Sequence, residues 1–154
     1  MKLIEKDLNI ALTLPKKGEI ITRQNLIEKD SDLETLLFIF YFKEYTINAH
    51  VSKIDFNDDE KAIIDYGYHL LLNTKEENVS MLFEDIKKGK FLNKHIACFH
   101  SKSIDFVQVY VKFLDKLICF SANLPKNNNI NKKNYHKNKI YKMIDSIVSS
   151  ITTA

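Results

Sequence analysis

The side chains of this chain that could do chemistry include five histidines, two cysteines, and serines and acids near them, and their spacing builds none of the usual reaction centres. His50, His69, His95, His100 and His136 fall on expected strand, helix and loop positions without a metal-ligand repeat. The nearest approach to a Cys/His site is Cys98 between His95 and His100, where strand alternation puts Cys98 and His100 on one face. A structural zinc site needs paired ligands at short spacings, and the second pair is missing. Cys98 and Cys119 are too far apart for a CxxC motif and read as small core residues, kept reduced in a cytosolic setting. Ser101 and Ser103 lie beside His100, but no GxSxG nucleophile elbow is present, and neighbours in sequence are not a triad. Asp55, Asp58, Asp59 and Glu60 crowd the start of an expected helix, where capping and the helix dipole account for acids better than paired-carboxylate catalysis does. The expectation is therefore no catalytic residues, no cofactor-binding residues, no metal ligands, and no enzyme.

One stretch is asymmetric in charge. Lys126, Lys132, Lys133, Lys137, Lys139 and Lys142 meet no acid and alternate with Tyr135, His136 and Tyr141. Lys132, Lys133, Tyr135, Lys137, Lys139 and Tyr141 are the candidate partner-binding residues. Lysines there could neutralise phosphates while tyrosines stack on bases, or the patch could meet an acidic protein. A hydrated Lys/Asn connection is the competing reading.

The elements that must position these groups follow from periodicity. Leu8, Ile10, Leu12 and Leu14 alternate up to Pro15 and read as a first strand, with a second at residues 20–27. Residues 33–42 and 45–54, rich in aromatic and β-branched side chains, flank Lys43-Glu44 and predict a β-hairpin. Asn57 is the expected cap of a helix whose Ile63, Ile64, Gly67, Leu70 and Leu71 make one apolar face. Short-period segments at 79–86, 96–100, 104–113 and 117–124 predict an antiparallel meander. In it residues 104–113 are apolar on both faces and therefore central. Ile140, Met143, Ile144, Ile147, Val148 and Ile151 form the stripe of a closing helix. This order gives an α+β fold: an antiparallel sheet with an N-terminal β-hairpin, and a middle helix and a C-terminal helix packed on it.

Length and composition bound the rest. A chain of 154 residues, 45% hydrophobic and 28% charged, is the size and balance of one globular domain, here 1–154. With 3 Gly and 2 Pro, long flexible linkers and Gly-rich phosphate loops are not expected, and a formal net charge of +3 does not by itself imply nucleic acid. Acidic residues come too early at the amino terminus for a signal peptide, and the longest apolar run, Leu36 to Phe42, is too short to span a bilayer.

The segments Leu12-Thr13-Leu14-Pro15, Leu117-Ile118-Cys119-Phe120-Ser121-Ala122-Asn123-Leu124-Pro125 and Ile144-Asp145-Ser146-Ile147-Val148, with the order of elements around them, resemble the DcrB and PsbP-type fold over nearly the whole chain. That resemblance implies binding rather than catalysis, since members serve as adaptors, assembly factors or chaperones. One cytosolic branch, the Eag chaperones of type VI secretion, shields apolar segments of effectors. The expected function is a cytoplasmic immunity protein that neutralises a cognate bacterial toxin or effector by direct binding. An effector-loading chaperone and a nucleic-acid-binding module are the alternatives. The expected partner is another protein, with nucleic acid disfavoured and no membrane span.

Overall fold

The computed structural model describes residues 1–22, 36–53, 59–73, 78–90, 92–125 and 129–154. Among these, nine strands and two α-helices follow one another: β1 (Lys2–Glu5), β2 (Ile10–Thr13), β3 (Glu19–Thr22), β4 (Leu36–Phe42), β5 (Tyr45–Lys53), α1 (Glu60–Leu72), β6 (Ser80–Lys87), β7 (Lys94–His100), β8 (Asp105–Phe113), β9 (Lys116–Leu124) and α2 (Lys139–Ser149). Strands β3 to β9 form one antiparallel sheet in the order β3-β4-β5-β9-β8-β7-β6. The β5–β9 pairing, from Ile47 opposite Ala122 to Lys53 opposite Lys116, unites β3-β4-β5 with β9-β8-β7-β6 across distant sequence.

Period-2 alternation divides the sheet into two faces. Ile47, Ala49 and Val51 of β5, Val107, Val109 and Val111 of β8, and Ile118, Phe120 and Ala122 of β9 point into the main core. There they meet Ile140, Tyr141, Ile144, Ile147 and Val148 of α2 and Leu3, Ile10 and Leu12 of the separate β1–β2 hairpin. Burying each such aliphatic side chain contributes about 1.5–3 kcal/mol before the entropy of ordering is subtracted, which is why the amphipathic α2 docks there. On the opposite face, Ala97, Phe99 and Leu117 carry α1 through Ile64 and Tyr68. Tyr68 sets its ring edge against Phe99 at 5.5 Å and Tyr110 at 5.7 Å, and Phe99 stacks on Phe106 at 5.2 Å.

The α+β class, the 36–53 hairpin, the meander and both helices match the sequence reading. β8 lies between β7 and β9, as expected of a strand apolar on both faces. Several details differ. The first strand does not start at Leu8: residues Lys6–Leu8 form a 3-10 turn closed by Asn9 in the left-handed region (φ 55°), and it folds β2 back on β1, which the sequence reading omitted. Asn accepts that conformation more readily than other non-glycine residues. The strand at 20–27 is seen as Glu19–Thr22, and its remaining residues lie outside the described ones, as do residues 33–35 of the hairpin's first arm. α1 buries Ile64 and Tyr68 and half-buries Ile63 and Leu71, while Leu70 is 55% exposed. The aromatic contacts of Tyr68 rotate the helix away from the expected stripe. Its cap is Asp59, which accepts from the Lys61 amide at 3.1 Å, whereas Asn57 lies outside the described residues. Among the described residues no helix is long and apolar enough to cross a membrane.

Candidate functional site

Lys126 lies outside the described residues; from Asn129 onward the lysine-rich stretch before and within α2 is ordered by its asparagines. Asn131 Oδ1 accepts from the amides of Lys133 (2.9 Å) and Asn134 (3.0 Å), and Asn134 Oδ1 accepts from the Asn131 amide (2.8 Å). A 3-10 turn, Tyr135–Lys137, follows, and Asn138 Oδ1 caps α2 by accepting from the Ile140 (2.8 Å) and Tyr141 (3.1 Å) amides. This scaffold sends the candidate residues in opposite directions. Lys132, Lys133, Lys137 and Lys139 are exposed, whereas Tyr135 and Tyr141 are 1% and 4% exposed.

The two tyrosines pack edge to face at 4.9 Å, and the Tyr135 hydroxyl donates to Asp85 Oδ2 at 2.8 Å. The Lys94 ammonium lies 5.7 Å from the centre of the Tyr141 ring and pairs with Asp145. Neither tyrosine can stack on a base, so this is a correction to the sequence reading: Tyr135 and Tyr141 are core residues. The reason is geometric, because Tyr141 shares the helix face of Ile144 and Val148 and the preceding turn brings Tyr135 over β6.

The residues considered for chemistry are also dispersed. Cys98 is wholly buried among aliphatic side chains, and burial, with the Asp105 charge adding to it, pushes its thiol up to about 12. His100 Nδ1 lies 2.6 Å from Asp105 Oδ1, and His95, on the opposite sheet face, puts Nε2 3.1 Å from Glu60 Oε1. Ser101 closes the β7–β8 turn by donating to the Ile104 carbonyl at 2.5 Å. Ser103 is exposed. Of the acid cluster, Asp59 caps α1 and Glu60 meets His95, while Asp55 and Asp58 are outside the described residues. Among the described residues no three His, Cys, Asp or Glu side chains stand close enough to hold a metal ion.

The structure instead exposes a groove that sequence reasoning passed over. At one end of the sheet the β6–β7 turn, the β8–β9 turn and the carboxyl end of α2 surround an open space of about 1030 Å³. Leu92, Phe113, Leu114, Val148 and Ile151 give it an apolar lining, and among the described residues Lys90, Lys94 and Lys112 rim it beside one acid, Glu60. Leu114 is unusual: its φ is 56° and it is 55% exposed. The left-handed conformation costs a non-glycine residue about 1–2 kcal/mol, and a half-exposed leucine regains little of that by burial. Lys87 and Lys88 extend the basic rim, and with Lys112 they form no ion pair among the described residues.

A signal for this was present in the sequence. Residues 78–154 carry 13 lysines against 5 acids, net +8, whereas residues 1–77 carry 10 basic and 15 acidic residues, net −5. The modest total conceals a strong division.

No known sequence family matches the chain, and no curated protein matches it in sequence. Solved structures do match in shape. The cyanobacterial PsbP protein CyanoP of Synechocystis superposes with a TM-score of 0.67 at 8% identity, over 100% of this chain and 92% of that one. The Ran-binding protein Mog1p of Saccharomyces cerevisiae gives 0.58 at 13% identity, over 99% and 94%. A protein of Bacteroides thetaiotaomicron gives 0.56 at 12% identity over 99% of this chain, which spans about half its length (48%). The fold is thus that of PsbP and Mog1p. At these identities the likeness speaks for the fold alone.

Proposed function

We propose that this chain is a non-catalytic, cytoplasmic protein-binding domain, and more specifically an immunity protein that neutralises a cognate bacterial toxin or effector by direct contact. The observation that carries the reading is a basic surface around an apolar-lined groove, with Lys87, Lys88, Lys90 and Lys112 facing solvent. Such a surface combines an apolar centre with a charged rim, the anatomy of a protein interface, and the charge would speed encounter with an oppositely charged partner. The Ran-binding protein among its structural neighbours gives the reading support from a protein of the same fold.

An effector-loading chaperone is the second reading, favoured by the groove's apolar lining, which suits an extended or helical segment. The test is a pull-down from native lysate with the tagged protein at low and moderate salt. Recovery of one stoichiometric folded toxin would favour immunity, and recovery of an unfolded effector segment would favour loading. Recovery of nucleic acid alone, or of nothing at either salt, would refute the protein-binding reading.

A further inference from the structure

We infer that the end groove takes an acidic segment of the partner protein with an apolar side chain seated against Leu114, an inference that rests on the protein-binding reading above. Charge complementarity names the occupant. Lys90 and Lys112 rim the groove and face solvent, Lys94 lines it while pairing with Asp145, Lys87 and Lys88 adjoin it, and the one acid among the described lining residues, Glu60, lies against His95 at 3.1 Å. A groove of this make-up attracts carboxylates at its rim and excludes water from a small apolar anchor at its centre. Leu114 is placed for that contact: it holds a side chain largely in solvent at a turn position that Gly or Asn would occupy with less strain, so no packing among the described residues explains the choice of leucine.

The same surface fits nucleic acid poorly. Residues 78–154 contain no arginine, so the bidentate phosphate fork is missing, and the neighbouring rings of Tyr135 and Tyr141 are buried.

The test uses the full chain and a fluorescein-labelled peptide alternating glutamate and leucine, followed by anisotropy at several salt concentrations. A glutamine-for-glutamate peptide and an oligothymidylate serve as comparisons. Saturable, salt-sensitive binding is expected, weakened about tenfold by Lys112→Glu and by Leu114→Asn, and unchanged by Lys43→Glu in the β4–β5 turn, which the β5–β9 register puts at the other end of the sheet. Asparagine accommodates the left-handed turn, so Leu114→Asn keeps the fold, which its melting curve checks.

Equal binding of the glutamine peptide, tighter binding of the oligothymidylate, or indifference to both groove variants would overturn the inference. The pull-down separates the two levels of argument. A native partner retained equally by the wild type and by the Lys112→Glu, Leu114→Asn double variant would leave protein binding standing and refute the groove, whereas loss of that partner only from the double variant supports both.

Discussion

Tyr135→Phe separates a buried tyrosine that holds the fold from a surface tyrosine that stacks on a partner. The substitution removes one oxygen and keeps the ring between Phe83 (5.5 Å) and Tyr141 (4.9 Å), so no cavity opens. What disappears is the 2.8 Å hydrogen bond to Asp85 Oδ2. A hydrogen bond to a charged acceptor contributes about 1.5–3 kcal/mol. Asp85 is only half-buried, so water can replace part of the lost partner and the lower end, about 1.5 kcal/mol, is expected. In a domain of this size each 1 kcal/mol moves the melting point by about 2–4 °C, giving a drop of roughly 3–6 °C.

Urea unfolding of the wild type, Tyr135→Phe, Asp85→Asn and the double variant should show an unchanged m-value and single effects that fail to add, as expected of two partners in one bond. Binding of the glutamate–leucine peptide should be unaffected. A Tyr135→Phe protein within about 0.5 kcal/mol of wild type would refute the assigned hydrogen bond. Weakened peptide binding at unchanged stability would return Tyr135 to the interface.

Gly18, at φ 127°, has the Phe40 ring and the Tyr41 carbonyl oxygen each 2.5 Å from where a Cβ would stand, so Gly18→Ala should lose more than about 1 kcal/mol in urea unfolding; an unchanged midpoint would show that the β3–β4 edge yields freely. Ile144→Ala, at a wholly buried position where α2 meets the sheet, should cost about 2–5 kcal/mol, and a smaller loss would mean that the core collapses around the gap. Stability should also fall in alkali. The Cys98 thiol ionises near 9.0 when unfolded and only near about 12 when folded, so its contribution is whole below 9.0 and disappears as pH rises through about 12. Unfolding midpoints measured across that range should decline less steeply for Cys98→Ala, and identical slopes would contradict the desolvated thiol.

Elements with a strong period were legible in the sequence. Val107, Val109 and Val111 alternate with Phe106, Gln108 and Tyr110, and that pattern identified an interior strand because both faces of the strand are covered. Ile140, Ile144, Ile147 and Val148 likewise announced α2, since a stripe at helical spacing has few other ways to leave water. The β1–β2 fold-back escaped notice because a 3-10 turn of three residues, Lys6–Leu8, leaves no periodic trace.

The candidate site was legible only in part. Lysine exposure could be expected from side-chain type alone, and the split of charge between residues 1–77 and 78–154 is written in the sequence. Whether a tyrosine faces solvent or core depends on the element it packs against, and only the tertiary structure turned Tyr135 toward Asp85 and Tyr141 toward the sheet. The groove is likewise a tertiary property. It joins Leu92, Lys112, Leu114 and Ile151, residues from two turns and a helix end that become neighbours only when the antiparallel meander brings its turns to one edge and α2 is laid across them.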